Sequence, residues 1–266
     1  VDTWAAGEAY EPYVGRWSRP VAAEFVSWLA LPAGRRWLDV GCGTGALTGA
    51  ILAGADPSSV LGVDPSEGFV QYSTAHVSDP RARFSRGSAT ELPPEQVDAV
   101  VSGLVLNFVP DPTAALAAMA AAAPAGVVAA YVWDYAEGME LMRHFWDVAV
   151  ALDPGAADLD EGRRFPLCRP DALRDLWHAA GLSDVAVRPI EVPTVFADFD
   201  DYWSPFLGGQ GPAPTYAAGL AEPRRAGLRE ALRARLGDGP IHLHARAWAV
   251  RGGVREARRT VSPAHA

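Results

Sequence analysis

The stretch "LDVGCGTG", Leu38–Gly45, decides how this chain is read. An acid, Asp39, and three glycines at alternate positions, Gly41, Gly43 and Gly45, follow on from the apolar run in "RRWLDV" (Arg35–Val40). Glycine belongs where the backbone takes positive φ or where another group must come close to the main chain. At the end of a short strand, this spacing predicts a loop with a ligand lying against it. Ala46–Ala53 resumes as a helix, so the loop opens onto a helix N-terminus, whose free N–H groups favour a polar ligand.

The same rhythm runs outward from that loop. "SVLGVD" (Ser59–Asp64) reads as a second buried strand ending on an acid, Ser66–His76 as a helix, and "ARFSRG" (Ala82–Gly87) as a third strand. "VDAVVSGLVLNFV" (Val97–Val109) begins as a strand, after which Asp111 caps a helix with Pro112 at its first position and Pro124 as its stop. The unbroken apolarity of "GVVAAYVW" (Gly126–Trp133) is that of a central parallel strand covered on both faces. Upstream, Val21–Leu29 sets Val21, Phe25, Trp28 and Leu29 on one helical stripe. Past Tyr135, helices are expected over Glu140–Leu152 and Pro170–Ala180, and strands over Asp184–Val192 and Ile241–Val250, the last near a sheet edge. Strands alternating with helices at this spacing make a doubly wound α/β domain. The expected organisation is one domain over residues 1–252, with N-terminal cap helices over 1–30 and an aromatic, Gly- and Pro-rich insert over 193–239. A polar, basic, flexible tail is expected over 253–266.

Composition narrows the partners. The 266 residues carry a formal net charge of −9, so no basic field attracts nucleic-acid phosphates or an anionic membrane. Only Cys42 and Cys168 are present, too few for a disulfide framework and suited to a reducing cytosol. Cys42 reads as a small buried filler. No apolar run reaches the roughly 18 residues of a membrane span, and "VDTWAAGEAYEPY" lacks a secretory signal pattern. The expectation is a cytoplasmic protein; the sequence leaves its oligomeric state open.

Two ligand readings compete at the loop. Gly41-x-Gly43-x-x-Ala46 matches the dinucleotide fingerprint literally, and Asp64 lies about twenty residues on, where a ribose-binding acid belongs. Against a pyrophosphate, Asp39 stands just before Gly41, where it suits a ligand with a positive amino group. The chain also ends on a helix and two late strands instead of a second mononucleotide half.

At these residues the chain resembles the class I S-adenosylmethionine-dependent methyltransferases. "LDVGCGTG" looks like their first motif and "GVDPSEGFV" (Gly62–Val70) like their second. "RGSATELP" (Arg86–Pro93) is similar to the segment beside the adenine, with Ser88 where the family usually carries Asp. "VDAVVSGLVLNFVPDP" (Val97–Pro112) and "PAGVVAAYVWDY" (Pro124–Tyr135) look like the fourth and fifth strand motifs. Within the class the likeness is nearest the small-molecule branch that includes quinone-biosynthesis enzymes. It implies a Rossmann-like fold: a seven-stranded, mostly parallel sheet with an antiparallel last strand and helices on both faces.

The resemblance also implies roles for named residues. Asp64 would accept from the ribose hydroxyls, or merely cap the next helix. Asp39 would face the ammonium of the methionine end, or brace the loop, while Gly41 and Gly43 let the backbone approach. Pro65 and Ser66 would border the adenine, with Ser88 and Ala89 opposite, and Ser102 and Leu104 would offer carbonyls. "AYEPYVGRW" (Ala9–Trp17) resembles a covering helix, with Tyr13, Arg16 and Trp17 over the methionine end. A plain surface helix is the alternative.

On the acceptor side, Asn107, Phe108, Trp133 and Tyr135 end the fourth and fifth strands, where the crevice of an open parallel sheet lies. Arg163 or Arg164, in "GRRFPL" (Gly162–Leu167), could face an anionic acceptor, or else be merely solvated. Trp203 and Phe206, in "DYWSPFLGGQGPAPTY" (Asp201–Tyr216), are expected to wall the acceptor from a lid over those strand ends, or else to form a satellite core. His144 is the candidate base, and no metal site is expected. The function so read is methyl transfer from S-adenosylmethionine to a small molecule. The alternatives are an NAD(P)-dependent oxidoreductase and a cofactor-binding module without catalysis.

Overall fold

In the computed structural model, which describes residues 15–208 and 211–254, seven strands join in one sheet in the order β3-β2-β1-β4-β5-β7-β6. They are β1 (Arg36–Val40), β2 (Ser59–Asp64), β3 (Ala82–Arg86), β4 (Ala99–Gly103), β5 (Val127–Trp133), β6 (Ser183–Phe196) and β7 (Ile241–Gly253). The first five run parallel, and β7 lies antiparallel between β5 and β6. Chain order reverses direction across the β1–β4 pair. That is the switch point at which strand ends diverge and leave a crevice.

The helices are α1 (Arg16–Leu29), α2 (Ala46–Gly54), α3 (Glu67–His76), α4 (Pro112–Ala122), α5 (Glu140–Leu152), α6 (Glu161–Arg164), α7 (Pro170–Ala179), α8 (Phe199–Trp203), α9 (Pro212–Gly219) and α10 (Glu222–Leu236). Their starts follow local chemistry. Asp111 accepts from the Ala114 N–H at 2.9 Å to cap α4, and α7 opens on a proline and stops before Gly181, whose φ is +75°. The stripe of α1 buries Val21, Phe25 and Leu29 where the helix packs on α2, β6 and β7.

Two of the boundaries that differ from expectation bear on the insert and the tail. β6 does not stop at Val192 but continues through Pro193 to Phe196. As the outermost strand it has an unpaired side, where missing proline N–H groups cost no ladder bond. The insert therefore begins after Phe196. At the other end, Gly253 closes β7, and the Val254 N–H donates to the Gly126 carbonyl at 2.9 Å. A tail starting at 253 begins too early. Tyr13, most of the expected tail and residues 209–210 of the insert lie outside the described residues.

Strand register sets up the crevice. Asp39 pairs across with Gly62 and with Val101, and Gly103 with Tyr131. Asp39, Asp64, Gly103 and Trp133 thus come to one edge of the sheet, at or just before the C-terminal ends of four neighbouring strands.

Candidate active site

The glycine loop turns through left-handed backbone at Gly41, Gly43 and Gly45, with φ of +75°, +51° and +82°. The positions answer to different neighbours. A Cβ on Gly41 would stand 2.5 Å from Val105 Cγ2, so this glycine lets the loop after β4 close on the loop after β1. A Cβ on Gly43 would meet nothing nearer than 4.0 Å. Its surroundings are the open crevice, where a ligand can lie on the main chain. The Gly41 N–H donates to the Val63 carbonyl at 2.7 Å, stitching the loop to β2.

Asp64 ends β2, with Oδ2 accepting from the Gly43 N–H at 3.0 Å and Oδ1 from the Ser66 N–H at 2.9 Å. Burial raises its carboxyl above the usual range, and these two bonds oppose that shift. The cap of α3 is Ser66, not Asp64, for the Ser66 hydroxyl accepts from the Phe69 N–H. Each Asp64 oxygen keeps a lone pair for a further donor.

Asp39 is fully buried. Its Oδ2 accepts from the Thr48 hydroxyl at 2.7 Å, while Oδ1 has no hydrogen-bond partner. Burial pushes its carboxyl up to about 7; the Thr48 bond opposes this and nearby Asp64 adds to it. A buried acceptor without a partner is costly. A cationic donor in the crevice would remove that cost.

Both acids line a cavity of about 240 Å³ whose other walls are mainly apolar: Pro65, Phe69, Leu104, Val105, Phe108, Tyr131, Trp133 and Tyr135. Leu104 holds φ +63°, an unusual conformation for a branched residue and one that concentrates at functional sites. Asp134 keeps the end of β5 in place. Its Oδ2 accepts from Arg246 Nη1 at 3.2 Å, and its carbonyl receives the Gly138 and Met139 N–H groups, fixing the turn that carries Tyr135.

Of the residues expected at the site, Asp39, Gly41, Gly43, Asp64, Pro65, Ser66, Leu104, Phe108, Trp133 and Tyr135 line this cavity together. Asn107 lies beside Phe108 in a short 3-10 turn, and both polar atoms of its amide are buried without partners. The others are placed elsewhere. The Ser102 hydroxyl donates to the Val40 carbonyl at 2.8 Å and ties β4 to β1. Ser88 is spent on its own turn, accepting from the Glu91 N–H at 3.1 Å, and neither it nor Ala89 is on the lining.

Arg16 pairs with Asp201 at 3.2 Å and lies over the Trp17 and Phe196 rings, away from the cavity lining. Arg164 is exposed and stacks over Phe165. His144 is off the lining too; its Nδ1 accepts from Arg235 Nε at 2.9 Å, and burial with that arginine lowers its pKa. A ring held this way is not placed to take a proton in the cavity.

The expected lid walls are corrected most clearly. Phe206 is fully buried and stacks on Phe145 of α5 at 4.5 Å, and Trp203 packs beside Phe206. No described residue of the insert lines the cavity. These rings cover the apolar face of α5, which otherwise would meet water, so they form the satellite core.

Sequence reasoning missed Ser18, Thr44, Leu47, Phe69, Val105 and Tyr131, all on the lining, and Cys42, read as a buried filler, lies there too. One signal was available: a tyrosine in the middle of a central strand that is otherwise aliphatic up to its terminal Trp133. A Cβ on Gly103 would stand 2.5 Å from the Tyr131 hydroxyl, so the glycine ending β4 makes room for that phenol. Among the described residues no group of three or more His, Cys, Asp or Glu could hold a metal ion.

Known proteins with related sequences agree on one chemistry. Residues 38–130 match the family model of a methyltransferase domain. Trans-aconitate 2-methyltransferase of Variovorax paradoxus is 34% identical over 183 residues, covering 64% of this chain and 69% of the relative. Demethylmenaquinone methyltransferase of a Roseiflexus species is 30% identical over 181 residues, covering 62% of this chain and 75% of the relative. Among solved structures, the YcgJ protein of Bacillus subtilis matches 90% of this chain and 99% of its own, with a TM-score of 0.58 at 16% identity. Phosphoethanolamine N-methyltransferase 2 of Haemonchus contortus, in complex with S-adenosyl-L-methionine, matches 88% of this chain and 52% of its own, with a TM-score of 0.55 at 16% identity. The two structures speak to the fold alone. The relatives, the family model and the strand order together place the chain: it belongs to the class I S-adenosylmethionine-dependent methyltransferases.

Proposed function

We propose that the chain binds S-adenosylmethionine in the cavity between Asp39 and Asp64 and transfers its methyl group to a small molecule held against the ends of β4 and β5. The observation that carries this reading is the unpartnered, buried Oδ1 of Asp39, set one loop away from a second acid with free lone pairs. An ammonium and a ribose diol are the two donors such a pair suits. Asp39 takes the ammonium. Asp64 takes the hydroxyls on the lone pairs that Gly43 and Ser66 leave open. Pro65 and Phe69 give apolar cover to the adenine, and the loop at Gly43 lets the methionine end lie against the backbone.

S-adenosylmethionine supplies an electrophilic methyl on a positively charged sulfur. The protein's part is positional. Phe108, Trp133 and Tyr135 form the aromatic wall on which an acceptor stacks, keeping water from the reacting pair, and Asn107 offers an amide to a polar substituent. Fixing the acceptor in line with the methyl can supply about 7–11 kcal/mol of the barrier reduction. A strong base is therefore unnecessary, in keeping with the absence of histidine from the lining among the described residues.

The names of the relatives support small organic acceptors. The net charge of −9 disfavours nucleic acid. Two free, buried cysteines support a cytoplasmic setting, and among the described residues no helix is long and apolar enough to cross a membrane. The test is a panel of small metabolites offered with S-adenosylmethionine, following release of S-adenosylhomocysteine. Turnover with one chemical class of acceptor is expected. Tight NADH binding with no affinity for either sulfur ligand would sink the proposal.

A further inference from the structure

A second hollow lies behind the wall of the transfer cavity, and its chemistry is the opposite. Four guanidinium groups line it, each from a different part of the chain: Arg143 on α5, Arg163 on α6, Arg169 at the start of α7 and Arg235 in the last turn of α10. Among the described residues only two carboxylates line it with them, Asp147 and Asp160. Arg235 is paired with Asp147 at 2.9 Å, and Arg143 with Asp160. Arg163 and Arg169 have no carboxylate partner among the described residues. Arg143 also keeps a buried Nε with no acceptor. Glu161 lies off the lining, where one of its oxygens accepts from the Trp146 indole.

This arrangement is out of keeping with the rest of the molecule. In a chain of net charge −9, four arginines converge where two acids balance them. Like charges brought to one hollow repel, and the planar N–H fork of arginine is shaped for carboxylate and phosphate oxygens. The hollow is also a different site from the transfer cavity. The two share no lining residue: Tyr135 faces one and Ala136 the other. Gly162 fits against the main chain between them; a Cβ there would stand 2.9 Å from the Tyr135 carbonyl oxygen.

We propose that this hollow is a binding site for a small, multiply charged carboxylate or phosphate anion. Arg163 and Arg169 supply the unpaired charge, and Arg143 and Arg235 complete the ring. An occupant would tie the last turn of α10 to α5, α6 and α7, and so to the segment that carries Tyr135. The proposal stands independently of what fills the transfer cavity.

Isothermal titration of the full chain with citrate and, separately, with inorganic phosphate, at constant ionic strength, tests it. One anion per chain is expected to bind, and the double variant Arg163→Gln/Arg169→Gln should weaken it at least tenfold. Both side chains are exposed, so the variant should melt at the wild-type temperature without anion and lose the rise that the anion gives the wild type. S-adenosylhomocysteine affinity should be the same in both. Arg174→Gln, which removes an exposed arginine paired with Asp171, should leave anion binding unchanged. Citrate alone binding identifies a polycarboxylate site; phosphate alone identifies a phosphate site. Failure of both anions to bind, undiminished binding by the double variant, or displacement of the anion by S-adenosylhomocysteine would overturn the proposal.

Discussion

The loop over residues 41–45 and the aromatic run over 199–216 are both conspicuous in this chain, and the molecule uses them in opposite ways. The loop keeps side chains away and shows its backbone to a cavity. The run buries Phe199, Tyr202, Trp203 and Phe206 against α5 and β6, and none of its described residues reaches the cavity. One region is built for a ligand and the other for the core. Aromatic density by itself does not mark a site; an acceptor left without a partner in a buried place does.

The largest expected effect should separate the two regions. Phe206→Ala removes a fully buried ring stacked on Phe145 and should cost about 3–5 kcal/mol of stability. The protein that remains folded should bind S-adenosylhomocysteine within about twofold of wild type, by denaturant melts paired with titration. A large loss of affinity with little loss of stability would put the insert back at the site.

Gly41→Ala probes the loop from its other side. The added Cβ meets Val105 at 2.5 Å in a backbone held at φ +75°, a conformation that costs a non-glycine residue about 1–2 kcal/mol. Cofactor affinity should fall at least tenfold while the melting temperature drops only a few degrees. If the affinity holds, the closure of the loop after β4 on this turn does not shape the site.

A smaller, graded effect should come from pH. The Asp39 carboxyl stands at about 7, and only its ionised form holds an ammonium. Below about pH 7 binding must first expel a proton, so affinity should weaken by up to about tenfold per pH unit and level off above. Stability of the ligand-free protein should move the other way. A carboxyl raised on folding stabilises at low pH, and that contribution is lost as pH rises through about 7. Glu161, also pushed up to about 7 by burial, adds to the same trend. Titration and melting between pH 6 and 8 check both signs; Asp39→Asn should flatten the binding curve.

The smallest effect is expected at His144. With its ring on Arg235 and off the cavity lining, His144→Ala should change turnover by less than about twofold in a methyl-transfer assay. A hundredfold loss would restore it as the base.

What the sequence told, and what it withheld, divides along the same line. Asp39, Gly41, Gly43 and Asp64 sit within two strand ends and one turn, so their arrangement follows from local geometry and can be read from spacing. The start of α4 at Pro112 was legible for the same reason, through the Asp111 cap. The place of Phe206 depends on Phe145, far away in the chain, and nothing in its own neighbourhood says which apolar face it will cover. The run of β6 through Pro193 depends on which side of the strand is left unpaired, a property of the whole sheet. The arginine hollow, assembled from four helices, has no local signature at all.

The central claim is that the pair of acids at the ends of β1 and β2 holds the cofactor, and calorimetric titration of S-adenosylhomocysteine into wild type and Asp64→Ala tests it most directly. Charge-assisted hydrogen bonds of this kind contribute about 1.5–3 kcal/mol each. The account predicts micromolar binding to the wild type and at least a tenfold loss in a variant that still folds, its melting temperature lowered by the loss of the acceptor for the Gly43 and Ser66 N–H groups. Equal dissociation constants for the two proteins would contradict it.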